Sequence, residues 1–133
     1  MTYKQVVDYL KQQATAVGAG SFWHGKETAK DINYDAAFPQ VYLFLVPSTI
    51  RDGRVISKVR MCFFGNDEQG SSSDEALLIQ DAMDVLTQQF VAALDEDGQG
   101  ALGDVDRGPV TRSGSTIGTG FFLSFTFSTP ALC

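Results

Sequence analysis

Near the C-terminal end of the chain, apolar residues fall at every second position. Phe121, Leu123, Phe125 and Phe127 alternate with Phe122, Ser124, Thr126 and Ser128. This period predicts a strand with one greasy face and one mostly hydroxylated face. Pro130 ends it, because proline donates nothing to a sheet ladder. At the other end the period lengthens. Thr2 is placed to cap a helix, and Tyr3, Val6, Leu10, Ala14 and Val17 recur at three and four residues. Lys4, Asp8, Lys11 and Gln12 take the opposite side, and Gly18 and Gly20 stop the helix. The broadest helical stripe comes later. Ser72 with Glu75 reads as a capping box, followed by Ile79, Ala82, Met83, Leu86, Phe90, Ala93 and Leu94. Leu78 and Val85 widen that stripe. The pattern predicts a helix over Ser72–Leu94 of about six turns.

Between the helices lie two further strand patterns. Phe38–Val46 is apolar on both faces from Val41 onward, which suits a central strand covered on both sides by a helix or a neighbouring subunit. Pro47 and Ser48 close it. Arg51-Asp52-Gly53-Arg54 is a hairpin turn. In Val55–Phe64, the set Val55, Ser57, Val59, Met61 and Phe63 faces one way. Lys58, Arg60 and Cys62 face the other, and Lys58 and Arg60 are expected in water or between subunits. Residues 21 to 37 show no regular period. Val105, Val110 and Ile117 mark weaker strand segments, broken by Gly108-Pro109 and Arg112-Ser113-Gly114-Ser115. There is no internal repeat, linker or second domain, so a single domain over 1–133 is expected. The fold class is α+β: an antiparallel or mixed sheet packed against two helices.

Composition narrows the function classes. Apolar residues make up 44 % of the 133, enough for a real core and too many for a disordered chain. The net charge of −6 disfavours sequence-independent nucleic-acid binding through a basic face. No apolar run reaches the ~20 residues of a membrane helix, and no secretory signal is expected from the charged N-terminal helix pattern. Cys62 and Cys133 do not make a disulfide scaffold. A buried thiol and a thiol on a loose tail, in a reducing compartment, is the expected state.

Chemistry-bearing patterns are sparse, and no enzyme activity is expected. His24 is the sole histidine, with no legible nucleophile beside it. Gly25-Lys26-Glu27-Thr28 lacks the first glycine and the preceding strand of a phosphate loop, so it is set aside. The glycine-rich run from Gly114 to Gly120 leads into a strand rather than a helix, and so lacks the helix N-terminus of a phosphate site. Asp31, Asp35, Asp67 and Glu68 read as solvated loop acids. Asp95 to Asp106 echoes a calcium loop, with Asp95, Asp97 and Asp106 as candidate ligands. Asp106 is shorter than the usual bidentate glutamate, and Gly108-Pro109 precludes an exiting helix. A solvated acidic connection is the simpler reading, calcium binding the alternative, and no cofactor is expected.

The aromatic load needs another explanation. Ten phenylalanines, four tyrosines and one tryptophan exceed what one small sheet and two helices must hide. Surplus apolar surface marks a protein partner. The interface candidates are Phe22, Trp23, Tyr42, Phe44, Lys58, Arg60 and Phe122, and self-association is expected.

The order and spacing of these elements resemble the tail-terminator and tail-completion proteins of tailed bacteriophages. The resemblance lies in the amphipathic helix Tyr3–Val17, the hairpin Phe38–Phe64, the capped helix Ser72–Leu94 and the late strands ending in Phe121–Ser128. It includes the entry phrase Asp35-Ala-Ala-Phe-Pro-Gln-Val-Tyr-Leu-Phe-Leu. It covers most of the chain as a pattern and contains no catalytic motif. The resemblance implies a structural virion protein, assembled in the host cytoplasm and located at the tail neck. It implies a ring, usually of six copies, that caps the tail tube and meets a tube or sheath protein on one side and the head-side connector on the other. Loops such as Pro47–Arg54 and Gly98–Ser115 would face tube and neck, and DNA would pass an acidic lumen without sequence-specific binding.

Overall fold

The computed structural model describes residues 1–25, 36–44, 46–67, 72–111 and 118–132. Helix α1 is Tyr3–Ala16 and helix α2 is Ser73–Asp97. The strands are β1 (Ser21–Gly25), β2 (Gln40–Phe44), β3 (Ser48–Arg51), β4 (Arg54–Gly65), β5 (Ala101–Leu102), β6 (Asp106–Val110) and β7 (Thr119–Pro130). They form one sheet in the order β1-β2-β4-β7-β5, with β3 also paired to β4 and β6 to β7. The β1–β2 pairing is parallel and every other pairing antiparallel. The sheet is therefore mixed and the class α+β. No described helix is long and apolar enough to cross a membrane.

The spine is β4 against β7, paired over twelve residues from Arg54↔Pro130 to Gly65↔Thr119. At about 3.3 Å per residue this ladder is roughly 40 Å long. Alternation along it sorts the side chains. Val59, Met61, Phe63, Leu123, Phe125 and Phe127 turn to one face and are buried, with Val41 and Leu43 of β2 beside them. Both helices pack on that face. Val6, Leu10 and Ala14 of α1 and Met83, Leu86, Phe90 and Leu94 of α2 close the core. The ring of Phe90 meets Phe63 edge-on at 5.5 Å. Tyr9 of α1 stacks on Phe127 at 5.7 Å and donates its hydroxyl to Asp97 at 2.8 Å, which ties α1 to the sheet and to the last turn of α2.

Capping follows local chemistry. The reciprocal capping box forms at α1, where Thr2 accepts from Gln5 N–H and Gln5 accepts from Thr2 N–H. At α2, the Ser72 hydroxyl accepts from Glu75 N–H. The helix runs one turn beyond the expected end, through Asp97, and Gly98 stops it in the left-handed region at φ 67°. The expected loop acids Asp95 and Asp97 are thus helical.

Other expectations are corrected. Residues 21 to 25, read as irregular, form β1, an edge strand whose period five residues cannot display. The expected strand Phe38–Val46 is shorter: a cis Phe38–Pro39 bond precedes it and β2 begins at Gln40. Beyond Pro47 the chain resumes as β3 instead of entering a loop. The register with β4 steps by one residue between Leu43↔Met61 and Ser48↔Ser57. Val105 falls between β5 and β6. Cys62 is half-buried rather than in the core. Asp67 is buried, not solvated, and accepts a hydrogen bond from the Thr119 hydroxyl at 2.9 Å. Asp31, Asp35, Glu68, Ile117, Cys133, the Lys26–Thr28 segment and residues 114 to 117 lie outside the described residues.

Candidate functional site

The sheet register gathers six of the seven expected interface residues on one face. Trp23 pairs with Tyr42, Tyr42 with Cys62, and Cys62 with Phe122, so the four form a row across β1, β2, β4 and β7. Phe44, Arg60 and Lys58 stand in the next positions of the same face. The Arg60 guanidinium lies over the Phe44 ring at 5.7 Å, and Phe44 meets Tyr42 edge-on at 5.1 Å. Phe22 departs from this set, because its position on β1 turns it to the helical side, where it packs on the core. The row is also less open than its composition implied. Tyr42 is only 8 % exposed, and Trp23, Phe44 and Phe122 are half-buried. Lys58 and Arg60 are exposed.

Exposed apolar surface lies elsewhere, in two groups that sequence reasoning missed. One is on α2, where Leu77, Leu78 and Val85 are 62 %, 71 % and 49 % exposed. Beside it Phe38, Pro39, Ile79, Ala82 and Met83 line an open hollow of about 330 Å³. The other group lies at the β3–β4 turn, with Ile50 at 73 %, Leu132 at 74 % and Tyr3 at 49 %. Four contacts bring together the segments that carry these residues. Ile50 pairs with Val55, Val55 pairs with Thr129, and the N-terminal amine donates to the Thr129 hydroxyl at 3.1 Å. Ala131 N–H donates to the Gly53 carbonyl at 2.8 Å, which holds Leu132 at the same turn. The groups occupy opposite ends of β4. Val55 pairs with Ile50, whereas Gly65 lies against Ile79 of α2, and ten residues of strand separate them by roughly 33 Å. Two sequence signals pointed this way. Adjacent Leu77 and Leu78 make a stripe wider than a helix face can bury, and Ile50 is an isolated β-branched residue between Thr49 and Arg51.

Charge separates along the same axis. Helix α2 carries seven acids, Asp74, Glu75, Asp81, Asp84, Asp95, Glu96 and Asp97, and no lysine or arginine. Asp84 is satisfied within the fold. Gln88 donates to it at 3.1 Å and Arg107 of β6 forms an ion pair with it, and these donors hold its carboxyl below the ordinary aspartate value. The Tyr9 hydroxyl moves the other way. Burial and its bond to Asp97 raise it well above an ordinary phenol. The β3–β4 segment instead holds Arg51, Arg54, Lys58 and Arg60 against the single acid Asp52. Arg54 donates to the Ser128 hydroxyl at 2.7 Å and to its carbonyl at 2.8 Å.

The remaining candidates stand apart from one another. His24 is exposed on the edge strand β1. Asp95 and Asp97 are on the last turn of α2, whereas Asp106 is on β6 opposite Ser124. Among the described residues, no group of three or more histidine, cysteine, aspartate or glutamate side chains comes together in a way that could hold a metal ion. No protein-family model matches this chain, and no curated protein matches it.

Proposed function

We propose that this chain is a structural virion subunit of the tail-terminator kind, which associates with copies of itself into a ring at the tail neck. One observation carries the reading: the exposed apolar side chains fall into two unlike groups at opposite ends of one 12-residue strand. Two unlike patches on one protomer permit a head-to-tail contact, each patch meeting the unlike patch of a neighbour, and such a contact closes into a ring when its rotation permits. The order of helices and strands, which resembles that of tail terminators, supports reading the ring as one at the tail neck. A six-membered ring would cap the tail tube and present its other side to the head-side connector. The net charge of −6 suits a lumen through which DNA slides without adhering.

Negative-stain imaging of concentrated protein, alone and mixed with purified tail tubes, tests the reading. The expected images show closed rings with a central hole, and rings seated on tube ends. Isolated particles of single-chain size in both samples would overturn it.

A further inference from the structure

We infer that the helix-free face of the sheet is a docking surface, and that its occupant is the outer side of α2 from a second copy. This rests on the self-assembly proposed above and names the surface on which the α2 group seats. Both helices pack on the face that carries Val59, Met61 and Phe63, so the alternate positions of β4 belong to the other face. Arg54, Ile56, Lys58 and Arg60 stand there in one line, and Arg51, paired with Arg54, joins them. The register of β7 adds Ser124, Thr126 and Ser128. Pro130, exposed and paired with Arg54, ends that row, and Leu132 follows two positions on. Four of the ten lysines and arginines of the chain thus share one sheet face. Arg51, Lys58 and Arg60 are exposed, and among the described residues no helix packs over them. Ile50 lies on the helical side and takes no part. Asp106, opposite Ser124, stands beyond β7 at the far margin.

On α2, Asp74, Leu78, Asp81, Val85, Asp95 and Glu96 share one side at 100° per residue, opposite the buried Met83, Leu86, Phe90 and Leu94. All six are exposed, and the helix carries no lysine or arginine. Charge on the two surfaces is opposite, and the spacing agrees. Asp81 to Asp95 spans roughly 21 Å of helix, and Arg54 to Arg60 roughly 20 Å of strand. The direction that places Leu78 beside Pro130 and Leu132 sets Asp81 at Arg51 and Arg54, Val85 at Ile56 and Asp95 at Arg60. Within one chain the two surfaces lie on opposite sides of a helix layer on a sheet layer, so they meet only between copies. The symmetric alternatives are α2 against α2, which brings acids together, and sheet face against sheet face, which brings cations together. Like charges at a contact disfavour both. Sheet face on helix uses one surface from each copy and leaves the other pair free to repeat the contact, as a ring requires.

Charge exchange tests the contact. Sedimentation velocity would compare the wild type, Arg51→Glu, Asp81→Arg and a chain carrying both changes, all at low salt. Both side chains are exposed, so melting temperatures should agree with the wild type and show that each variant folds. The wild type is expected to assemble, each single change to weaken assembly roughly tenfold or more, and the double change to recover most of that loss. The two single changes move the net charge in opposite directions, so a loss in both is not an effect of net charge. If the wild type assembles but either single variant assembles as tightly, or the double change recovers nothing, the sheet-face contact is wrong while self-assembly stands. If the wild type stays a single chain throughout, both fall.

Discussion

Helix α2 has two apolar sides with opposite fates. Met83, Leu86, Phe90 and Leu94 are at most 8 % exposed, whereas Leu77, Leu78 and Val85 on the other side lie between 49 and 71 %. Both sides are apolar, both carry leucine, and the helix is the same. What differs is what each side has to meet: the inner side finds Phe63 and the β7 phenylalanines, and the outer side finds water. Leucines left in water gain nothing for the fold. Covered by another copy, each would contribute about 1.5–3 kcal/mol to association. On the self-association proposed above, the inner side serves folding and the outer side serves assembly, and substitutions on the two should fail in different assays.

The largest effect is expected on the inner side. Phe90→Ala opens a cavity at a fully buried ring and should lower unfolding free energy by about 3–5 kcal/mol in denaturant titration. Leu78→Ser on the outer side should leave that free energy within about 0.5 kcal/mol while reducing assembly. Equal losses of stability in the two variants would erase the distinction.

The next effect concerns the spine. A Cβ on Gly120 would run into the backbone carbonyl of Phe63, so β4 and β7 pair this closely only because the residue is glycine. Gly120→Ala should cost about 1–3 kcal/mol by the same titration.

Smaller effects sharpen how α2 is fastened. Tyr9→Phe removes the bond to Asp97 and should lower stability by about 1 kcal/mol. The phenol is raised in the folded state, so its contribution is intact at neutral pH. It is lost as the pH climbs above about 10, which an alkaline melting series comparing wild type and Tyr9→Phe would show. Asp84 has the reverse sign. Its carboxyl is lowered in the fold, so the Gln88 and Arg107 bonds stabilise at neutral pH and fade as the pH falls below about 4. The pair is partly exposed, so Arg107→Ala should cost under about 1 kcal/mol at pH 7 and nothing further in acid.

Much of the architecture was legible because it is local. Strict alternation over Phe121–Ser128 announced β7, and the cap and stripe from Ser72 announced α2. What stayed hidden depends on neighbours far along the chain. β1 is five residues long and owes its existence to a parallel partner. Asp67 looked solvated because its partner Thr119 is 52 residues away. Leu78 and Val85 looked like core because periodicity reports apolar positions, not which of them a sheet covers. The candidate site was half legible: one sheet face collects Trp23, Tyr42, Phe44, Lys58, Arg60 and Phe122, while the exposed ends at Ile50 and Leu78 emerge only from the fold.

The central claim is that these exposed ends meet in another copy of the same chain. Light scattering of the wild type over a dilution series tests it most directly. Starting near 1 mM, such a series detects a contact as weak as about 4 kcal/mol. A mass that rises with concentration toward a fixed multiple of 14.4 kDa is the predicted result. A constant 14.4 kDa at every concentration would contradict it.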